Sequence, residues 1–135
     1  MSLSREEIRD AMYQWNRAWE RFDLQGVLAF MHDEVLFENW TGGRAKGKAS
    51  LRNAWRPWFA QADFRFTEEE LFIDEVEQKL LFRWTLQWPC PDPAYQGQIE
   101  VRRGVDVIHL HNGKIINKLT YSKTTVEIDG RRHVL

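Results

Sequence analysis

The spacing of apolar residues changes once along the chain, from a helical period in the first half to a period of two in the second half. Near the start, Ser4 and Glu7 have the spacing of a capping box, in which each side chain bonds the backbone N–H of the other residue. A helix is therefore predicted to begin here. The apolar residues that follow recur at helical spacing and predict one buried helix face. They are Ile8, Met12, Trp15 and Trp19.

Two further helices and a short strand are predicted in the rest of the first half. A short helix is expected after Asp23, and a longer one from about Lys48, in which Pro57 predicts a kink or an early end. Residues 35–40 alternate and predict a strand, which the Thr-Gly-Gly triplet at 41–43 ends. The apolar residues assigned to the two helices are Val27, Leu28, Phe30 and Met31 in the first, and Leu51, Trp55, Trp58 and Phe59 in the second.

The second half of the chain, from Phe64 onward, has the alternation of β-strands. Its clearest apolar face consists of Leu80, Phe82, Trp84, Leu86 and Trp88. Prolines at 89, 91 and 93 end this strand. Residues 98–111 and 114–128 predict two long strands joined at Asn112-Gly113, a dipeptide typical of tight hairpins. Three helices followed by an antiparallel, curled sheet predict an α+β fold, and the length of 135 residues predicts a single domain, 1–135.

Composition and charge exclude several classes of function. The net charge of -1, with both signs interspersed, is untypical of proteins that bind nucleic acids or anionic membranes. Cys90 is the single cysteine, which excludes an internal disulfide and a cysteine-rich metal site. The sequence contains no apolar run of ~20 residues and no signal-peptide pattern. A soluble, cytoplasmic protein is therefore expected.

Seven tryptophans are the unusual feature of the composition. An indole ring is large and its N–H needs a partner when it is buried. A tryptophan-rich core is one interpretation of this number. A cavity with aromatic walls is the other, and the sequence leaves both open.

An acid interrupts the apolar pattern of the strand before the predicted hairpin. Asp106 stands among valines in the segment GVDVIHLHNGKII, although aspartate is depleted in strands and seldom buried without a partner. If it faces a cavity, the period of two places Glu100 and Arg102 on the same strand face. The residues expected opposite, on the next strand, are Lys118, Thr120 and Ser122. A cation about 4 Å away favours the charged form of a carboxylate, so we expect an ionised Asp106 paired with Arg102 or Lys118.

The two faces of this strand could also be exchanged. Asp106, Arg102 and Lys118 would then form a charge network on the solvent face, which would contribute little to stability. The core would instead contain Val101, Val105 and Val107. In the first arrangement these valines lie outside with Ile115 and Leu119. Two apolar sheet faces need a second layer, so that arrangement predicts a homodimer.

The histidines suggest a metal site only weakly. His109 and His111 share one strand face at a spacing that can bind a metal ion. No Asp, Glu or Cys stands at a matching position to supply a third ligand, so a solvated hairpin end is the favoured interpretation. We expect neither a metal nor a cofactor.

Four features together resemble the nuclear-transport-factor-2-like superfamily. They are the order of the elements, the stretches DLQGVLAFMHDEVLFEN and GRAKGKASLRNAW, and the hairpin with Asp106 upstream of its Gly-Lys turn. The chain is most similar to SnoaL-like domains, a class that includes polyketide cyclases and resembles ketosteroid isomerase. This resemblance covers nearly the whole chain. It implies a cone in which a bent sheet wraps around helices and leaves a pocket, and it also implies a dimer.

The resemblance also identifies candidate residues. Steroid isomerases have a general-base Asp at the end of the first strand, a phenol on the first helix and a protonated Asp before the last hairpin. The matching positions here are Asn39, Trp15 and Asp106. An amide cannot shuttle a proton at neutral pH, and an indole donates only through its ring-edge nitrogen. Isomerisation of the steroid type with these residues is therefore not expected.

Two hypotheses about function follow. In the first, the domain is an isomerase, cyclase, dehydratase or hydrolase that acts on an apolar or aromatic ring compound, and Asp106 with Arg102 or Lys118 handles protons or a water. In the second, the cavity binds without chemistry, or tryptophans fill it and the sheet serves dimerisation. The predicted ligand contacts are Trp15, Phe37, Asn39, Trp55, Phe82, Trp84, Trp88, Thr120 and Ser122.

Overall fold

A computed structural model describes residues 1–134, which form three α-helices and a strongly curled sheet. The helices are α1 Arg5–Glu20, α2 Leu24–Leu28 and α3 Lys48–Gln61. The predicted capping box starts α1, because Ser4 Oγ accepts from Glu7 N–H at 3.1 Å and the Glu7 carboxylate accepts from Ser4 N–H at 2.9 Å. None of the helices in residues 1–134 is long and apolar enough to cross a membrane.

Eight strands make up the sheet within the described residues. They are β1 Met31–Glu38, β2 Arg44–Lys46, β3 Arg65–Asp74, β4 Lys79–Pro89, β5 Ile99–His111, β6 Lys114–Ser122, β7 Thr125–Ile128 and β8 Arg131–Val134. The order across the sheet is β2-β1-β6-β5-β4-β3, and β7 and β8 extend it beside the first part of β5. This confirms the predicted α+β fold, in which the sheet forms a half-barrel around the helices.

The expectation of a wholly antiparallel sheet is wrong at one pairing. β1 runs parallel to β6, whereas the other neighbouring strands are antiparallel. A parallel pair needs a long crossover connection, and here β2, α3 and the strands β3 to β5 all lie between β1 and β6 in the chain. The sheet is therefore mixed.

Several predicted boundaries also differ from those observed. The helix α2 ends at Leu28, and Met31, which was assigned to this helix, already begins β1. The helix α3 continues through Pro57 to its end at Gln61, so the early end does not occur. The last predicted strand is two strands, since β6 ends at Ser122 and β7 pairs with β5 instead of continuing β6.

The concave face of the sheet packs on α1 and α3 and contains most of the core. The register predicted for β4 is confirmed, because Phe82, Trp84 and Leu86 are buried and Trp88 packs against the same cluster. Full burial of such a side chain stabilises the fold by about 1.5–3 kcal/mol.

A glycine makes room for one of the buried indoles. Gly104 in β5 lies directly opposite Trp84 in β4. A methyl group at Gly104 would lie 2.4 Å from the Trp84 ring and 2.3 Å from the backbone oxygen of Tyr121. The ring of Trp84 therefore occupies the space that any other residue's side chain would need.

The convex face of the sheet carries a second set of apolar residues. Val101, Val105, Val107 and Leu119 are half-buried there, as expected for the arrangement in which Asp106 faces inward. Ile115 does not belong to this set. It is fully buried in the core, because the register between β5 and β6 shifts between His109 and Leu110.

Candidate functional site

A cavity of about 280 Å³ lies between α3, the end of β1 and the concave face of the sheet. Its walls are mostly aromatic, and six of the seven tryptophans contribute to them. The lining residues are Trp19, Phe37, Asn39, Trp40, Ala54, Trp55, Trp58, Phe66, Trp84, Trp88, Asp106, Lys118 and Thr120. This volume is close to the lower end of the ~300–1,000 Å³ range of ligand pockets, so it fits a compound of one or two rings.

Three polar side chains from two neighbouring strands stand together in this aromatic wall. Thr120 lies opposite Asp106 in the β5–β6 register and donates from Oγ1 to Asp106 Oδ1 at 2.7 Å. Lys118 Nζ donates to Thr120 Oγ1 at 2.9 Å and lies 3.3 Å from Asp106 Oδ2. Each of the three is buried, with exposed fractions of 4% for Asp106, 7% for Lys118 and 5% for Thr120. The solvent-face arrangement of Asp106 is therefore wrong.

The surroundings of Lys118 make its ammonium group a stronger acid than that of a surface lysine. Burial lowers the pKa of Lys118 from its ordinary value of 10.5, and the negative charge and hydrogen bond of Asp106 oppose this effect only in part. The Lys118 nitrogen lies 4.9 Å from the ring centre of Phe37 and 5.7 Å from that of Trp55. Aromatic faces at such distances stabilise a cation by cation–π attraction, but the buried cation loses the hydration that bulk water would give it.

Arg102 does not pair with Asp106, contrary to one of the two predicted pairings. Its Nε donates to Glu100 Oε2 at 3.0 Å and its Nη1 donates to Ser122 Oγ at 3.1 Å. Trp88 Nε1 also donates to Glu100 Oε2, at 2.6 Å. The guanidinium of Arg102 lies 4.9 Å from the ring centre of Trp40. Arg102 and Ser122 thus belong to a separate cluster that fixes two aromatic walls of the cavity.

The remaining predicted ligand contacts divide between the cavity and its surroundings. Asn39 lines the cavity, but its Oδ1 accepts from Trp40 N–H at 2.8 Å and so holds the turn after β1. Trp15 and Phe82 line a separate space of about 20 Å³ that also touches Asp106 and Lys118. Phe37, Trp55, Trp84, Trp88 and Thr120 line the main cavity.

Five lining residues are not among the ligand contacts that the sequence predicts. They are Trp19, Trp40, Ala54, Trp58 and Phe66. The helical period identified Trp19 and Trp58 as core positions, and no pattern distinguishes a core position from a cavity wall. Trp40 follows β1 in a turn, where its backbone N–H donates to Asn39 Oδ1, and no periodic pattern predicts the direction of a side chain in a turn.

The other titratable candidates lie outside this cavity. His109 pairs with Asn117 at 2.9 Å, and its pKa is lowered by burial and by the charge of Lys79. Among residues 1–134, no group of three His, Cys, Asp or Glu side chains could hold a metal ion. Cys90 is buried beside Val126 and Ile128, and burial raises the pKa of its thiol.

Comparison with known proteins agrees with this architecture. The family model of the SnoaL-like domain matches residues 12–118. The chain belongs to the SnoaL-like domain family. No curated protein sequence is significantly similar to it.

Three solved structures illustrate the similarity of this SnoaL-like domain to others of the fold. An NTF2-like protein of unknown function from Mesorhizobium loti is 22% identical, with 87% of this chain and 92% of that chain covered and a TM-score of 0.70. TerC co-crystallised with polyporic acid is 14% identical, with coverages of 87% and 92% and a TM-score of 0.69. A computationally designed 17-OHP binder is 21% identical, with coverages of 93% and 98% and a TM-score of 0.73. These identities establish a shared fold alone.

Proposed function

We propose that this SnoaL-like domain binds a small apolar or aromatic ring compound in the tryptophan-lined cavity and acts on it through Asp106 and Lys118. One observation carries the proposal: a single buried acid–amine pair stands in a wall that is otherwise mostly aromatic. Buried polar groups cost stability unless they are paired. Titratable groups with a shifted pKa that line a cavity are therefore typical of functional sites.

The two groups have complementary roles in this proposal. Asp106 is the proton acceptor, and Lys118, whose pKa is lowered by burial, is the donor that returns the proton. Thr120 bonds both groups and holds them in register. The reactions open to such a pair are isomerisation, cyclisation, dehydration and ring-opening hydrolysis. Two of the similar structures, TerC with polyporic acid and the designed 17-OHP binder, support the use of this fold to hold ligands.

Binding is tested with a set of one- and two-ring compounds, first by thermal shift and then by calorimetric titration of the best ligand. Asp106→Asn keeps the shape of the side chain and removes its charge, so the variant should fold. Its affinity for the ligand, or its turnover, should fall at least tenfold, which corresponds to about 1.4 kcal/mol. The matched control is Asp129→Asn in an exposed turn, which should bind as the wild type does. Equal affinity and turnover in both variants would refute the role of Asp106.

A second candidate function is ligand binding without catalysis. The amide of Asn39 favours it, because this residue occupies the general-base position of the steroid isomerases and serves the turn here. The two candidates differ in one observable. If the best ligand binds and is recovered unchanged after prolonged incubation with the protein, while Asp106→Asn still weakens its binding, the domain is a binding module.

For the assembly of the domain we propose a homodimer through the convex face of the sheet. Phe72, Leu81, Val107 and Leu119 form one apolar row across four strands, and Phe72 and Leu81 are 59% and 42% exposed. Leu81→Asp should convert a dimer into a monomer in sedimentation experiments. Tyr13→Ser on the opposite, helical side should leave the dimer intact. A wild-type monomer at micromolar concentration would refute this assembly. We also propose that residues 1–135 form one domain and that the protein is cytoplasmic.

A further inference from the structure

Lys118 differs from every other lysine among residues 1–134. It is 7% exposed, whereas Lys46, Lys79, Lys114 and Lys123 are exposed and Lys48 is half-buried. It points inward from β6 and lines the cavity. The cavity therefore holds one primary amine, in surroundings that no surface lysine shares.

The contacts of this amine leave it both oriented and reactive. Its partners are an acid and a hydroxyl, at 3.3 Å from Asp106 Oδ2 and 2.9 Å from Thr120 Oγ1. The rings of Phe37 and Trp55 occupy other sides, with centres within 6 Å of the nitrogen. Burial lowers the pKa of Lys118, so more of it is in the free-amine form at neutral pH than of a surface lysine. A desolvated amine of this kind is a nucleophile toward carbonyl groups.

We propose that Lys118 forms a Schiff base with the carbonyl group of an aromatic aldehyde or ketone bound in the cavity. This inference rests on the proposed function, because the same cavity must first admit the ring. It assigns Lys118 a covalent role in addition to proton transfer, and it specifies the chemical class of the ligand as a ring that carries a carbonyl group.

The reaction balances with the groups present. The free amine of Lys118 adds to the carbonyl carbon, a carbon–nitrogen bond forms, and one of the two amine protons passes to the carbonyl oxygen to give a carbinolamine. Asp106 gives the carbinolamine hydroxyl a second proton, the one that passed to it when the Lys118 ammonium became the free amine. The carbon–oxygen bond then breaks and water leaves. The product is a protonated imine beside an ionised Asp106, so the net change is loss of one water, with no oxidant or reductant.

The same surroundings stabilise the product. The protonated imine keeps the positive charge at the position of the lysine nitrogen, next to Asp106 Oδ2. It also keeps the aromatic faces of Phe37 and Trp55, which attract cations. The mostly aromatic walls of the cavity limit the access of the water that would hydrolyse the imine. Among the other lysines of residues 1–134, Lys48 also lies near an acid, 3.6 Å from Asp33 Oδ1, but it does not line the cavity.

The test is reductive trapping of the wild-type protein. We would incubate it with 4-methylbenzaldehyde and sodium cyanoborohydride at neutral pH, and map the modified lysines by peptide mass spectrometry. The account predicts that Lys118 is modified at an initial rate at least tenfold above Lys79 or Lys123. Glyceraldehyde, which has no ring, should show no preference for Lys118. Lys118→Arg keeps the charge but cannot form an imine, so the rapid modification at position 118 should disappear. Lys79→Arg should retain the rapid modification of Lys118.

A second measurement separates this inference from the proposed function. Binding of 4-methylbenzyl alcohol, which has the ring but no carbonyl, is followed by tryptophan fluorescence. If the alcohol binds and Lys118 is modified no faster than Lys79, the Schiff-base role is wrong and the binding function stands. If neither the alcohol nor any other ring compound binds and Lys118 is not modified, both are wrong.

Discussion

Replacement of Lys118 by methionine tests the buried pair in isolation from any ligand. The change keeps a long side chain and removes the nitrogen that lies 3.3 Å from Asp106 Oδ2. Both partners are more than nine-tenths buried, so bulk water compensates poorly for the lost contact. Removal of one partner of a buried ion pair costs about 3–5 kcal/mol. Because Thr120 still donates to Asp106, we expect a loss near the lower limit, about 3 kcal/mol.

The assay is urea unfolding of a four-member mutant cycle. Lys118→Met should be about 3 kcal/mol less stable than the wild type at neutral pH. The double variant Lys118→Met with Asp106→Asn should regain at least about 1.5 kcal/mol relative to Lys118→Met, since no unpaired charge then remains. The exposed Lys123→Met is the control. If Lys118→Met lies within about 0.5 kcal/mol of that control, the two charges do not form a buried pair.

Two other predictions concern the same region. Gly104→Ala places a methyl group against the Trp84 ring and should cost about 1–3 kcal/mol as an overpacked core substitution; unchanged unfolding and tryptophan emission would contradict this. The lowered pKa of Lys118 means that the unfolded chain keeps this proton to higher pH than the folded one. Burial of the protonated amine therefore destabilises the folded state fully at a pH below the folded pKa of Lys118, and this destabilisation is lost as the pH rises toward 10.5. The stability of the wild type relative to Lys118→Met should rise across this window in unfolding titrations, and a difference that stays flat would contradict the pKa shift.

Elements with a strong local signal were predictable from the sequence. The capping box at Ser4 depends on contacts between residues close in the chain, and the alternation around Trp84 depends on residues that share one sheet face. The spacing of residue types along the sequence predicts both. The inward direction of Asp106 could be stated only as one of two alternatives, since exchange of the faces preserves the alternation. The packing of the concave sheet face against α1 and α3 determines which of the two faces, and therefore Asp106, points inward.

The rest depended on contacts between distant segments. The parallel pairing of β1 with β6 joins segments more than 70 residues apart, and nothing in either strand specifies its direction. Pro57 was expected to disturb α3, but its helix buries Trp55 and Phe59. Packing of that kind outweighs local propensity in most helices of globular proteins. Arg102 was assigned to Asp106 because both share a strand face, whereas Glu100 lies nearer on the same face.

The most direct test of the central claim is a crystal structure of the domain with its tightest-binding ring compound. The account predicts that the ring lies in the main cavity, in contact with Trp55 and Trp88, and that a polar atom of the ligand lies within about 3.5 Å of Asp106 or Lys118. A ligand found only in the groove beside Tyr13 and Phe22, with the tryptophan-lined cavity empty, would contradict it.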